Sequence, residues 1–220
     1  MSTGASEPNA RRRRLRWAGL ILLCVYVAGN GRPSAGQEVE VPDIVSREAW
    51  GALPPNTELM QEQKPVEIIV HHTGERQQPK VSLEAKMRGL QHFATTPGRV
   101  GLLKKPAWGD VPYHYYIDVA GKIAEGRDVN FAGDATTGFD NDGRIQITVE
   151  GDFDREQPAQ EQLASLMKLV RWLALTYGIP AEGISGHGDH DQTNCPGANL
   201  KPFLEELRKA LQGESVTLEK

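Results

Sequence analysis

The run VEIIVHHT at residues 66–73 constrains the fold more than any other stretch of the chain. Val66, Ile68, Ile69 and Val70 supply side chains branched at Cβ, which pack well on a pleated surface. A short apolar run of this kind reads as a buried strand. His71 and His72 stand at its C-terminal end. In sheets flanked by helices, functional sites often collect at strand ends, so the two histidines become the first residues of interest.

The rest of the chain interleaves helical and extended patterns. SREAW at residues 46–50 predicts a capped helical turn, with Ser46 as N-cap, Ala49 and Trp50 facing inward, and Pro54 and Pro55 ending it. Residues 82–93 carry Leu83, Met87, Leu90 and Phe93 at helical spacing. A loop follows over 97–109, broken by Pro97, Gly98, Gly101, Pro106 and Gly109. YHYYIDVAGKIAEGRD at 113–128 predicts a β-hairpin turning at Ala120 and Gly121. Residues 134–143, rich in Gly, Thr, Asp and Asn, predict a loop. RIQITVEG at 144–151 alternates Ile145, Ile147 and Val149 inward, as a half-buried strand would. The clearest helix is 158–177, with Leu163, Leu166, Met167, Val170, Leu173 and Ala174 on one stripe and Gly178 as its stop. A short strand or loop, 184–187, and an amphipathic helix, 201–211, complete the pattern. These elements predict one α/β domain: a central mixed β-sheet flanked by about three main α-helices, with its core at about 42–211.

Charge is distributed unevenly. The net formal charge is -4, yet residues 1–36 carry six Arg and one acid, which leaves the body at -9. An acidic body argues against nucleic acid as the main partner, because phosphate binding wants a basic face. Arg11 to Arg16 precede WAGLILLCVYVAG at 17–29, 13 residues long. A spanning helix needs ~20 apolar residues, so this stretch suits a signal-peptide core, with an uncleaved membrane anchor as the other reading. Small residues at Ser34, Ala35 and Gly36 make cleavage before Gln37 plausible. Residues 37–220 are then an exported body, periplasmic or extracellular. Cys24 lies in the leader, so the body holds one cysteine, Cys195, and no internal disulfide is available to it.

That lone cysteine is inert and buried, reactive, or a metal ligand, and its neighbours bear on the choice. A catalytic zinc site takes three protein ligands from His, Cys, Asp or Glu and leaves one position open. The body offers His71, His72, His92, His114, His187, His190 and Cys195. His187 and Cys195 flank the polar loop GHGDHDQTNCPG, which is long enough to fold back so that both ends meet one ion, with Pro196 and Gly197 fixing the turn. Spacing alone leaves structural histidines and a His–Cys thiol hydrolase pair as alternatives.

Five segments, in order, resemble one family. IVSREAWGA at 44–52, VHHT at 70–73, DVPYHYYIDVAGKIAEGRD at 110–128, EGDF at 150–153 and GHGDHDQTNCPG at 186–197 are similar to segments of the peptidoglycan recognition proteins and phage-lysozyme-type N-acetylmuramoyl-L-alanine amidases. The resemblance covers about 42–211 and implies a peptidoglycan recognition protein-like fold. It implies Zn2+ held by His71, His187 and Cys195, Tyr113 and Thr193 as catalytic residues, and His72, Trp108, Asp110 and His114 beside the substrate groove. It implies metal-assisted hydrolysis of the amide between N-acetylmuramoyl groups and L-alanine of peptidoglycan or muropeptides. A binding module that does not cut, or an amidase acting on anhydro-muropeptides, are its alternatives. Two departures touch the groove wall: Asp134 stands where the family often has His, and Arg144 and Gln146 stand where it often has Ser and Gly.

Overall fold

The computed structural model describes residues 40–135 and 139–212. The expected leader at 1–36, with its arginines and Cys24, lies outside them. Among the described residues, no helix is long and apolar enough to cross a membrane.

The chain runs β1 (Ile44–Val45), α1 (Arg47–Trp50), β2 (Glu67–His72), α2 (Leu83–Thr95), β3 (Gly98–Val100), β4 (Leu103–Lys105), β5 (Tyr115–Ile117), β6 (Ile123–Glu125), β7 (Arg144–Val149), α3 (Gln160–Tyr177), β8 (Ile184–Gly186) and α4 (Phe203–Gln212). Six strands form one sheet in the order β1-β6-β5-β7-β2-β8. The sheet is mixed: β2 lies parallel to both β7 and β8, and β5 is parallel to β7 but antiparallel to β6. The expected architecture, a mixed α/β domain with three main helices, is the one observed.

The alternation of side chains along a strand divides the sheet into two faces. Ile68, Val70, Ile145, Ile147 and Val149 pack with Leu166, Leu169, Val170 and Leu173 of α3 and with Leu204 and Leu207 of α4. On the opposite face Tyr116 and Ala124 meet Trp50 of α1 and Leu83 and Met87 of α2. The three main helices α2, α3 and α4, with the short α1, thus cover both faces, and α3 ends at Gly178 as its sequence predicts. The 113–128 hairpin also forms as expected, as β5 and β6, with Gly121 in its turn.

Four expectations change. Ser46 caps α1 by accepting from the Ala49 N–H, but only Trp50 turns inward; its indole Nε1 donates to Glu125 O at 2.7 Å, while Ala49 is exposed. Gly51, left-handed at φ 79°, ends the turn three residues before the prolines. Residues 97–109 hold the small β3–β4 ladder rather than only a loop. Its apolar residues Val100, Leu102 and Leu103 face solvent, so no buried alternation betrays it in the sequence. In α2 Phe93 is exposed and Gln91 is buried, because the Gln91 amide bonds Leu53 and Asp110. Finally, β7 is not half-buried. Gln146 and Thr148 are as inaccessible as the isoleucines beside them, and they face the α1–α2 side.

Leu169 is fully buried between α3 and the sheet. Leu169→Ala is expected to lower the unfolding free energy by about 2–5 kcal/mol through lost burial and the cavity left behind. Denaturant titration measures this, and a loss below ~1 kcal/mol would contradict the packing described.

Candidate metal centre

The register of β2 and β8 brings the first two donors together. Val70 pairs with Gly186 in a parallel ladder, so the next residue on each strand, His71 and His187, leave the sheet side by side. Their ring centroids are 4.7 Å apart. After His187 the chain makes a short helical turn, His187–Asp189, and loops back. The loop closes where Gly188 N–H donates to Cys195 O at 2.7 Å. A Cβ on Gly188 would stand 2.6 Å from Thr193 O, so only glycine permits this closure. The return places Cys195 under β2, where its Sγ accepts from the His72 backbone N–H at 3.4 Å.

The result is a triangle of donors. Ligand atoms of His71, His187 and Cys195 all lie within 4.8 Å of one another, and His71 Nδ1 is 3.6 Å from Cys195 Sγ. Zinc bonds of ~2.05 Å to nitrogen and ~2.3 Å to sulfur, at a tetrahedral angle, set those two atoms about 3.6 Å apart. His187 Nε2 is buried and has no hydrogen-bond partner among the described residues; the Asp191 carboxylate is 3.7 Å from it. Two imidazoles that each offer one nitrogen, together with a thiol sulfur, are a donor set that zinc takes. The residues present therefore fit zinc.

Electrostatics agree with that fit. Burial, and then the neighbouring His187, lower the pKa of His71 to about 3. Burial likewise lowers His187, so both rings stay neutral and keep a lone pair for a metal. Burial pushes the Cys195 thiol up to about 12. A nucleophilic thiolate without a cation beside it is disfavoured there, which weighs against the His–Cys hydrolase pair.

The other predicted residues divide into two groups. Tyr113, half-buried, lies 5.3 Å from the His71 ring, and burial holds its phenol well above the usual range, so it is neutral. Tyr113, His72 and Trp108 all line a cleft of about 700 Å³ that opens over His71, His187 and Cys195. His72 points away from its neighbour, as strand geometry requires, and its Nδ1 accepts from the Phe153 N–H at 3.2 Å. Thr193 is exposed and is not among the residues that line the cleft; its Oγ1 accepts from the Cys195 N–H at 3.2 Å.

Asp110 and His114, expected beside the groove, are buried and are not among the residues that line the cleft. Asp110 is buried beneath it, paired with Arg47 at 2.7 Å and with Gln91. His114 is fully inaccessible; its Nδ1 accepts from Gln146 N–H and its Nε2 donates to Phe131 O. Both are interior supports. Of the other two histidines, His92 is exposed on α2 and His190 bonds Ser185. Asp134, at the cleft wall, forms an ion pair with the buried Arg127.

Sequence reasoning missed two residues around the centre and a buried lysine away from it. Phe139 sets its ring edge-on to His187 at 4.6 Å, with the Arg144 guanidinium 4.9 Å over its face. A phenylalanine in a polar loop carries no periodicity by which to find it. Gln146, noticed only as a departure, accepts a hydrogen bond from His71 Nε2. Lys105 is buried against the cleft residue Trp108, with its Nζ 4.5 Å over that ring, and donates to the Ala94, Thr96 and Pro106 carbonyls.

The mixed sheet thus carries a cluster of two His and one Cys that could hold a metal ion in an open cleft, and comparison with known proteins identifies the class. A family model described as N-acetylmuramoyl-L-alanine amidase matches residues 61–198, and the chain belongs to that family. Peptidoglycan-recognition protein SD of Drosophila simulans is 30% identical over 196 residues, covering 87% of this chain and 96% of that protein. The crystal structure of Drosophila peptidoglycan recognition protein SD matches with a TM-score of 0.63 at 29% identity, over 76% of this chain and 95% of the other. N-acetylmuramoyl-L-alanine amidase LysC from Clostridium intestinale matches with a TM-score of 0.56 at 30% identity, over 78% of this chain and 99% of that one.

The buried His114 gives the fold a pH dependence. Burial lowers its pKa from 6.5 to about 4, so the unfolded chain binds the proton more readily than the folded one between those values. Stability is then full above pH 6.5 and falls as the pH drops toward 4, by on the order of 3 kcal/mol for this group. Protonation at Nδ1 would also break the bond from Gln146 N–H. Unfolding followed from pH 8 to pH 4 should show this decline, with a shallower slope in His114→Gln; equal slopes would refute the assignment.

Proposed function

We propose that the chain is an exported, zinc-dependent amidase that hydrolyses the bond between N-acetylmuramoyl groups and the L-alanine of peptidoglycan stem peptides. The observation that carries this reading is the donor triangle of His71, His187 and Cys195, held within 4.8 Å at the floor of an open cleft. Membership of the amidase family supports the reaction class. The basic cluster and short apolar run at 1–36 support export.

His71, His187 and Cys195 would hold the metal. When bound, zinc supplies a Lewis acid that polarises the scissile carbonyl and makes water more acidic. Tyr113 stands beside His71 in the cleft, and its phenol, kept neutral by burial, donates a hydrogen bond to the carbonyl oxygen as negative charge develops there. Thr193, whose oxygen already accepts from Cys195 N–H, keeps its own proton to give to the same oxygen. Phe93, Leu90, Val81 and Trp108 wall the cleft with apolar surface away from the metal end, where the peptide and sugar flanking the bond would pack.

The test is to purify the full chain, measure its zinc content, and follow release of stem peptides from peptidoglycan and from anhydro-muropeptides, with and without a chelator. One zinc per chain is expected, with cleavage lost on chelation and restored by zinc; Cys195→Ser should weaken zinc binding at least tenfold. Bound zinc without cleavage of either substrate would favour a binding module. Absence of zinc binding would overturn the ligand assignment.

Tyr113→Phe removes only the phenolic proton donor. It is expected to lower kcat by about 10²–10³, the range seen when one oxyanion donor is lost, while zinc content stays unchanged. An unchanged kcat would remove Tyr113 from the mechanism.

A further inference from the structure

His71 is enclosed by three rings: Tyr113 at 5.3 Å, His187 at 4.7 Å and Phe139 at 6.4 Å. Packing of this kind fixes where the imidazole plane lies. It does not distinguish the ring from its copy turned by 180°, because the two have nearly the same shape. Packing does not choose the tautomer either. Only a hydrogen bond tells the nitrogens apart.

That bond comes from Gln146. Its Oε1 accepts from His71 Nε2, which leaves Nδ1 without a proton and facing Cys195 Sγ at 3.6 Å. The Gln146 amide is oriented in its turn. Its Nε2 donates to Asn141 Oδ1 at 3.2 Å, and Asn141 Nδ2 donates to Phe139 O at 3.2 Å. The three bonds share one direction, each amide donating outward and accepting inward, so reversing any one of them faces acceptor with acceptor. Gln146 is otherwise immobilised: its side chain is almost wholly buried, its N–H donates to His114 Nδ1 at 2.7 Å, and its Cγ lies close against Gly133.

We propose that Gln146 is the positioning residue of the metal centre, setting the tautomer and flip of His71 so that Nδ1 is presented to the cation, with Asn141 holding Gln146 in register. The inference rests on the zinc reading above. It concerns a residue at which this chain departs from the glycine that its resemblance leads one to expect, and a glycine there offers no side-chain acceptor. A hydrogen-bonded partner on the far nitrogen of a ligating histidine orients the ring and raises its basicity, and losing such a partner typically weakens metal binding about 10–100-fold.

The test combines two measurements on the full chain. Zinc affinity is determined by competition with a chromophoric chelator for wild type, Gln146→Leu and Gln146→Glu. Long-range proton–nitrogen NMR on the metal-free protein reads the His71 tautomer. The expected result is an Nε2–H tautomer in wild type, a 10–100-fold weaker zinc affinity in Gln146→Leu, and recovery to within a few-fold in Gln146→Glu, which restores the acceptor. A role in packing alone would give both variants the same loss and would overturn the proposal. So would an Nδ1–H tautomer in wild type, which needs no variant to fold. If wild type itself binds no zinc, the zinc reading fails, while the tautomer measurement still decides the hydrogen bond.

Discussion

The parallel pairing of β2 with β8 is the constraint on which the site depends. Because Val70 lies opposite Gly186, His71 and His187 emerge together, and a slip of one residue would turn one of them to the other face of the sheet. The register is held by the buried side of these strands, where Ile68, Val70 and Ile184 pack under α3 and α4. The same burial that stabilises the domain therefore sets the distance between the two histidines. The third donor depends on backbone closure at Gly188 and on the His72 N–H that donates to Cys195 Sγ.

The two faces of the sheet have different chemistry. The α3–α4 face is almost wholly apolar. The other face buries Gln146, Thr148, His114, Asp110 and Arg127 beside a smaller apolar cluster. Buried charges are tolerated only when paired and hydrogen-bonded, and each one here is: Asp110 with Arg47 and Gln91, Arg127 with Asp134 and backbone carbonyls, Lys86 with Glu150 at 2.7 Å. His187 Nε2 is buried without a hydrogen bond among the described residues, and the Asp191 carboxylate lies 3.7 Å from it.

What could be read in advance follows from what each residue's signal depends on. The strand at 66–73, the hairpin and the helix at 158–177 were legible because a buried strand leaves an apolar run, a tight turn needs its own residues, and a half-buried helix imposes a period, and all three are local properties. The β3–β4 ladder was not, since its apolar side chains face water. The inaccessibility of Gln146 and Thr148 was not, since polar residues in alternation with isoleucine look solvent-facing until α1 and α2 are laid over them. Asp110 and His114 sit within a segment resembling the family's groove, yet their side chains turn beneath it.

By itself the sequence determined the elements and the fold class, because these follow from local periodicity; the three candidate donors came from resemblance to a family, since spacing alone left other roles open for the same residues. The tertiary structure alone decided that His71 and His187 become neighbours, that Phe139 closes over them, and that Gln146 rather than solvent meets the far nitrogen of His71. These are contacts between residues distant in the chain, such as the pair 75 positions apart that joins His71 to Gln146. They are set by strand register and by the packing of helices on a sheet, and no local pattern in the chain encodes them.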